Sequence, residues 1–131
     1  MAKPYPFSKV VDLPFSAAIA ATIEALGKHG FGVLTDIDVQ ATLKKKLDVS
    51  FRRYRILGAC NPGMAHQALL AEDKIGTMLP CNVVVQELPN GGVEVSAVDP
   101  VASMQAVDNP RLAATAAKVR AMLRQVVDEI G

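Results

Sequence analysis

The residues of this sequence best suited to chemistry are its two cysteines, Cys60 and Cys81. Cys60 directly precedes Asn61-Pro62, and asparagine followed by proline is typical of the start of a helix. The unpaired amide groups and positive dipole end of that helix would favour the thiolate, the form of cysteine that attacks electrophiles and binds soft metals. Cys60 is therefore a candidate catalytic nucleophile, and Cys81 opens the next β-rich segment.

Other side chains near the cysteines in sequence could take part in this chemistry. His66 follows Cys60 by six residues and is the candidate general base of a Cys–His pair. Met64 and Met78 flank the same region, and two thiolates with two thioethers would suit a soft ion such as Cu(I). No cofactor is predicted. The cysteines lack a CxxC spacing that would bring them together, so the simpler interpretation is that both are buried structural thiols.

The charges are balanced overall but not along the chain. Fourteen Lys and Arg against thirteen Asp and Glu give a net charge of +1, which argues against a generally basic nucleic-acid binder. The segment 44–55 nevertheless carries six basic side chains and a single acidic one, Asp48, so it has a charge of +5. The six basic residues are Lys44, Lys45, Lys46, Arg52, Arg53 and Arg55.

The basic segment has three interpretations. It could be a solvated face that keeps a sheet edge from pairing with other chains, an anion-binding surface, or a nucleic-acid interface. Nucleic-acid binding is disfavoured, because Phe51 and Tyr54 are the only aromatic residues interleaved with the basic ones.

A helix, a strand and a second short helix are predicted in the first third of the chain. Ser16 is a plausible N-cap for the first helix, and Gly27 and Gly30 predict its end. Its predicted apolar stripe has spacings of four and three: Ile19, Ile23 and Leu26. Residues 31–35 are typical of a strand, and Asp36 or Asp38 could cap a short helix over residues 39–47.

The middle of the chain predicts a strand, a helix and a hairpin. Residues 51–60 alternate as in a strand, with Tyr54 and Ile56 on one face and Arg53 and Arg55 on the other. The helix that begins at Asn61-Pro62 carries four residues on one face: Met64, Ala65, Ala68 and Leu69. Residues 81–88 and 93–98 surround Asn90-Gly91, a strong hairpin signal.

The clearest periodicity predicts a long terminal helix that begins at Asn109-Pro110. Its apolar positions alternate between spacings of four and three: Leu112, Ala116, Val119, Leu123, Val126 and Ile130. Such a stripe can cover a sheet, and any excess would form a dimer interface. Hairpin pairing with one-sided helices predicts an α+β, two-layer domain, an antiparallel sheet with helices packed on one face. We expect residues 1–131 to form a single domain.

Several motifs stand in the order seen in the uncharacterised prokaryotic family called domain of unknown function 302, which this chain resembles from about residue 7 to 130. They are GFGV at 30–33, DIDVQ at 36–40, ILGACNP at 56–62, LPCNVVV at 79–85 and VDP at 98–100. The resemblance implies a TATA-binding-protein-like fold, with one strand, one helix, four strands and a C-terminal helix. It also implies a small, often dimeric, cytoplasmic protein, and it assigns no activity.

The first 13 residues contain no apolar segment typical of a signal peptide, and no stretch approaches the length of a membrane span. We therefore expect a cytoplasmic protein with free thiols and no membrane partner.

The function that these observations favour is a homodimeric module that binds a small or anionic ligand. The predicted cleft lies near Cys60, Asn61, Cys81 and Asn82, with positive charge from Lys46, Arg53 and Arg55. One alternative is a thiol-dependent redox or acyl-transfer enzyme that uses Cys60 and His66. The other is a nucleic-acid binder that uses the basic segment.

Overall fold

A computed structural model describes residues 5–131. The strands are β1 (Pro6–Val11), β2 (Gly32–Asp38), β3 (Tyr54–Cys60), β4 (Cys81–Glu87) and β5 (Val93–Val98). The α-helices are α1 (Phe15–Lys28), α2 (Val39–Leu47), α3 (Pro62–Ala71), α4 (Pro100–Ser103) and α5 (Pro110–Glu129). A 3-10 helix over Asp73–Met78 leads from α3 towards β4.

The five strands form one sheet in the order β1-β5-β4-β3-β2, and each neighbouring pair is antiparallel. The hairpin predicted around Asn90-Gly91 is present. Glu87 pairs with Val93, and Gly91 adopts a φ of +88°, which glycine reaches without the penalty of a Cβ atom.

Alternate residues of the central strands point to the face of the sheet that the helices cover. On that face, cross-strand pairing places Leu57 opposite Val83, and Val85 opposite Val95. All four side chains are buried among residues of α1 and α5. The predicted α+β class, with helices on one face of an antiparallel sheet, is therefore confirmed.

Helix α5 lies against the sheet with the predicted stripe buried. All six predicted apolar positions are buried, from Leu112 at its start to Ile130 directly after its end. Among residues 5–131, none of the exposed large hydrophobic side chains lies on α5. The whole stripe therefore packs in the core of this chain, and α5 presents no exposed large apolar side chain to a partner.

Helix α1 differs from its prediction in two details. The cap residue is Pro14 rather than Ser16, and it makes no side-chain cap hydrogen bond. Ile23 is exposed, whereas Ala18 and Thr22 are fully buried on the face that packs against the sheet. The reason is that small side chains allow close approach, and the Thr22 hydroxyl is satisfied by donating to the carbonyl of Ala18 at 2.7 Å.

A close contact ties three strands together near the two cysteines. A side chain at Gly58 of β3 would meet Thr35 of β2 and Pro80, which directly precedes β4. Glycine is therefore required at this position by lack of space. The contact fixes the relative placement of the strand ends that carry Cys60 and Cys81.

Candidate functional site

A cavity of about 330 Å³ opens between the helices and the end of the sheet where β3 ends and β4 begins. Its walls come from the sheet, from α3 and α5, and from the loops around the 3-10 helix and α4. The lining includes Phe31, Ala59, Cys60, Asn61, Met64, Ala65, Cys81, Met104, Thr115 and Ala116. The exposed side chains of Leu34 and Leu69 also line it.

The lining is almost entirely apolar. Among the described residues that form it, none carries a charge, and hydrogen-bonding side chains are confined to Cys60, Asn61, Cys81 and Thr115. The Thr115 hydroxyl donates to the carbonyl of Arg111 at 3.3 Å, so its bond is made within α5. The cavity is therefore suited to a neutral, apolar occupant.

Helix α3 provides one wall because its start is fixed locally. Asn61 accepts a hydrogen bond from the amide of Met64 at 3.2 Å, and Pro62 occupies the first turn. The cap orients the helix so that its predicted face lines the cavity, with Met64 and Ala65 in the first turn and Ala68 and Leu69 one turn later. The predicted N-cap and the predicted face of this helix are both confirmed.

Cys60 and Cys81 lie at the same end of the sheet. Ala59 pairs directly with Cys81 across β3 and β4, so Ala59 and Cys81 share a face of the sheet, Cys60 follows at the end of β3, and both cysteines are among the residues that line the cavity. The pKa of the Cys81 thiol is raised from 9.0 to about 11. Burial is the larger cause, and the charge of Cys60 is the smaller one. Cys81 is therefore a neutral thiol at physiological pH.

Three other predicted site residues lie away from the cavity. His66 is exposed on the side of α3 opposite Met64, and Met78 is exposed at the end of the 3-10 helix. Asn82 pairs with Gly58 and points to the opposite face of the sheet from Cys81. His66 is therefore not among the residues that line the cavity with Cys60, and the Cys–His pair stays a prediction.

Arg53 and Arg55 also lie away from the cavity. They line a separate depression of about 190 Å³ with Phe15, Asp38, Gln40 and Tyr54. Arg55 and Cys60 are five residues apart in one strand, which corresponds to about 17 Å. The single cleft predicted from the cysteines and the basic side chains is therefore two separate places.

Two of the six basic side chains of the segment form ion pairs. Arg55 forms a two-pronged ion pair with Asp36 of β2, and its hydrogen bonds hold the pKa of Asp36 below its ordinary value. Lys44 contacts Asp48 at 2.7 Å. The count of +5 omitted Asp36 because antiparallel pairing of β2 with β3, rather than nearness in sequence, places that carboxylate beside Arg55.

Other basic side chains of the segment make local contacts or remain exposed. The guanidinium of Arg52 lies 4.4 Å from the ring centre of Phe51, and its Nε donates to Gln86 at 3.0 Å. Lys46 is exposed on α2, a helix with no buried residue. The nucleic-acid interpretation gains no support, because the aromatic ring beside Arg52 is covered by the arginine itself.

Sequence reasoning missed the distal walls of the cavity. Met104 lines it directly after α4, Thr115 lines it from α5, and Phe31 lines it directly before β2. Neither α4 nor the 3-10 helix was predicted. In the sequence, only the one-sided apolar pattern of α3 indicated this site. The other walls come next to α3 through contacts between residues that are distant in the sequence.

This architecture defines a class of small α+β domain in which a helical layer and an antiparallel sheet enclose an apolar cavity lined by two cysteines. The chain belongs to the family called domain of unknown function DUF302, and the model of this family matches residues 7–130. Its fold is similar to a crystal structure of an uncharacterised conserved DUF302 protein from Bacillus stearothermophilus, with a TM-score of 0.90 and 27% sequence identity. That match covers 97% of this chain and 98% of the other.

A comparison with curated proteins finds no match. Among residues 5–131, no helix has the length and apolar character needed to cross a membrane. The same residues contain no cluster of three or more His, Cys, Asp or Glu side chains that could hold a metal ion.

Proposed function

We propose that this protein binds a small, neutral, largely apolar molecule in the cavity beside α3. The observation that carries the proposal is an open cavity of about 330 Å³ whose described lining contains no charged residue. Ligand sites in proteins are usually concave and mostly apolar, with a few polar groups that orient the ligand. Here Cys60 and Asn61 lie at the same wall and supply such groups.

The chemistry of the lining argues for a neutral ligand rather than an anionic one. Burying an unpaired anion among apolar side chains is strongly unfavourable, and Arg53 and Arg55 lie at the far end of β3. The anion-binding part of the sequence hypothesis is therefore not retained for this cavity.

The volume limits the size of the ligand. An apolar cavity of about 150 Å³ is enough to hold benzene. A cavity of about 330 Å³ therefore suits a molecule with one or two small rings, or a short branched chain. Pockets of this size are at the lower end of the range seen for small-molecule sites.

The test uses indole, a neutral and mostly apolar probe, titrated into the ¹⁵N-labelled protein with amide chemical shifts as the readout. We expect saturable shift changes centred on the amides of Met64, Ala65 and Met104. In the variant Ala65→Phe, the larger side chain enters the cavity, so we expect indole affinity at least tenfold lower. The control Ala117→Phe places the same change on the exposed face of α5 and should leave binding unchanged.

Two results would contradict the proposal. The first is the absence of saturable shifts in the cavity of the unmodified protein. The second is equal indole affinity in Ala65→Phe and Ala117→Phe. The milder variant Ala65→Leu provides the comparison if the spectrum of Ala65→Phe shows loss of the folded state.

A further inference from the structure

The carboxamide of Asn61 has one atom engaged in the fold and one atom free. Its Oδ1 atom accepts a hydrogen bond from the Met64 amide at 3.2 Å, which fixes the Nδ2 atom on the other side of the group. Among residues 5–131, Nδ2 donates to no protein acceptor, and no fully buried side-chain nitrogen or oxygen lacks a partner. The Nδ2 atom is therefore accessible to the cavity or to solvent.

The free Nδ2 atom lies at the edge of the cavity. A Cβ atom at Gly30 would stand 3.1 Å from Nδ2, so this nitrogen lies beside the loop that joins α1 to β2. Phe31, the next residue of that loop, and Asn61 both line the cavity. A ligand in the cavity can therefore meet Nδ2 at the wall that these two residues share.

The other polar groups of the lining leave Asn61 as its main hydrogen-bond donor. The Thr115 hydroxyl already donates its proton to the carbonyl of Arg111. Cys60 and Cys81 carry thiol groups, which are weak donors. The described lining has no charge, so a carboxylate would be buried there without a partner of opposite charge. The cavity therefore favours a ligand with a neutral acceptor.

We propose that the ligand of this cavity is a small apolar molecule with a carbonyl group, whose oxygen accepts a hydrogen bond from Nδ2 of Asn61. A carbonyl group suits this wall because it accepts without bringing a proton that would need an acceptor of its own. This selectivity rests on the proposed binding in the cavity and adds the chemical class of the ligand. Asn61 thus acts twice, with its oxygen as the cap of α3 and its nitrogen as the group that selects the ligand.

The experiment compares two ligands with the same ring skeleton, 1-indanone, which has a carbonyl group, and indane, which has none. Each is titrated into the ¹⁵N-labelled protein, and the backbone amide shifts measure the affinity. We expect 1-indanone to bind about fivefold more tightly, the gain typical of one neutral hydrogen bond. The side-chain NH₂ signal of Asn61 should move further downfield with 1-indanone than with indane.

The variant Asn61→Asp keeps an oxygen that can cap α3 and replaces the Nδ2 donor with a second oxygen. The preference for 1-indanone over indane should disappear in this variant. Asn82→Asp is the matched control, because it makes the same change at an exposed side chain on the opposite face of the sheet from Cys81. In the control, the preference for 1-indanone should remain.

Equal affinities of the unmodified protein for 1-indanone and indane would overturn the carbonyl selectivity while leaving the cavity as an apolar binding site. A preference that survives Asn61→Asp, or that Asn82→Asp abolishes, would overturn the role of Asn61. If indole, indane and 1-indanone all fail to bind, the proposed function is wrong and the ligand class falls with it. The Asn61 side-chain signal of the unmodified protein decides the role of Nδ2 even if Asn61→Asp fails to fold.

Discussion

At the scale of single residues, Cys81 lies at the start of β4 among core side chains, and Cys60 is the last residue of the neighbouring strand β3. Sequence alone made Cys60 the candidate nucleophile and did not indicate which of the two thiols is the more deeply buried. Burial separates them, since Cys81 is 8% exposed whereas Cys60 is half-buried at an open cavity. The difference depends on contacts with residues distant in the sequence, such as the pairing of Cys81 with Ala59, which is why the local sequence could not show it.

The raised pKa of Cys81 predicts a stability that falls at high pH. Its thiol has a pKa of about 11 in the folded chain, against an ordinary value of 9.0. Between these values the unfolded thiol loses its proton while the folded one keeps it, so unfolding becomes more favourable as pH rises. The loss of stability reaches about 2 kcal/mol by pH 11.

Urea unfolding of the protein between pH 8 and 11 measures this loss. Other groups titrate in the same range, so the informative quantity is the difference between the unmodified protein and Cys81→Ser. In Cys81→Ser, the free energy of unfolding should fall less steeply with pH, because the contribution of this thiol is gone. Cys60→Ser should keep most of that contribution, because burial is the larger cause of the raised pKa of Cys81. If the free energy of unfolding depends on pH in the same way in the unmodified protein and in Cys81→Ser, the pKa of the Cys81 thiol is not raised by burial.

At the scale of elements, local signals fixed where most helices begin. Asn61 and Asn109 each precede a proline, and both accept hydrogen bonds from amides of the following turn. Asp38 caps α2 in the same way, through the amide of Ala41. These starts were predictable because a cap acts within four residues of itself. The face of α1 was less predictable, because the depth of Ala18 and Thr22 depends on the sheet beneath them.

The Asn61 cap predicts a specific loss of stability. Asn61→Ala removes the acceptor for the Met64 amide, so we expect the free energy of unfolding to fall by about 1 kcal/mol. The hydrogen exchange of the Met64 amide should become faster. Asn61→Asp keeps an acceptor oxygen at the helix N-terminus and should retain most of the stability.

The matched control for this prediction is Asp38→Ala, which removes the cap of α2. That variant should also lose stability, but exchange at Met64 should stay unchanged. Equal destabilisation by Asn61→Ala and Asn61→Asp would show that the cap oxygen is not the cause.

At the scale of the whole molecule, the expected homodimer stays a prediction that rests on the resemblance. Helix α5 was the candidate interface, but its apolar stripe packs inside the chain. We expect sedimentation velocity to show a species of twice the chain mass of 13.9 kDa. We also expect the dimer interface to lie elsewhere than on the exposed face of α5. Ala117→Arg, on that face, should leave the dimer intact.

Two results would contradict this expectation. A single species of chain mass over the micromolar range would show that the protein is a monomer under those conditions. Dissociation caused by Ala117→Arg would place the interface on α5.

The sequence by itself determined the order of the five strands and the longer helices, the caps of α2, α3 and α5, the hairpin and the buried stripe of α5. These features depend on hydrogen bonds and periodicities that span a few residues. Only the tertiary structure decided which side chains share a site. It joined Cys60, Cys81 and Met64 at one cavity and left Arg53 and Arg55 at the other end of β3. The physical reason is that strand pairing and helix packing set these distances, and both depend on contacts between residues far apart in the chain.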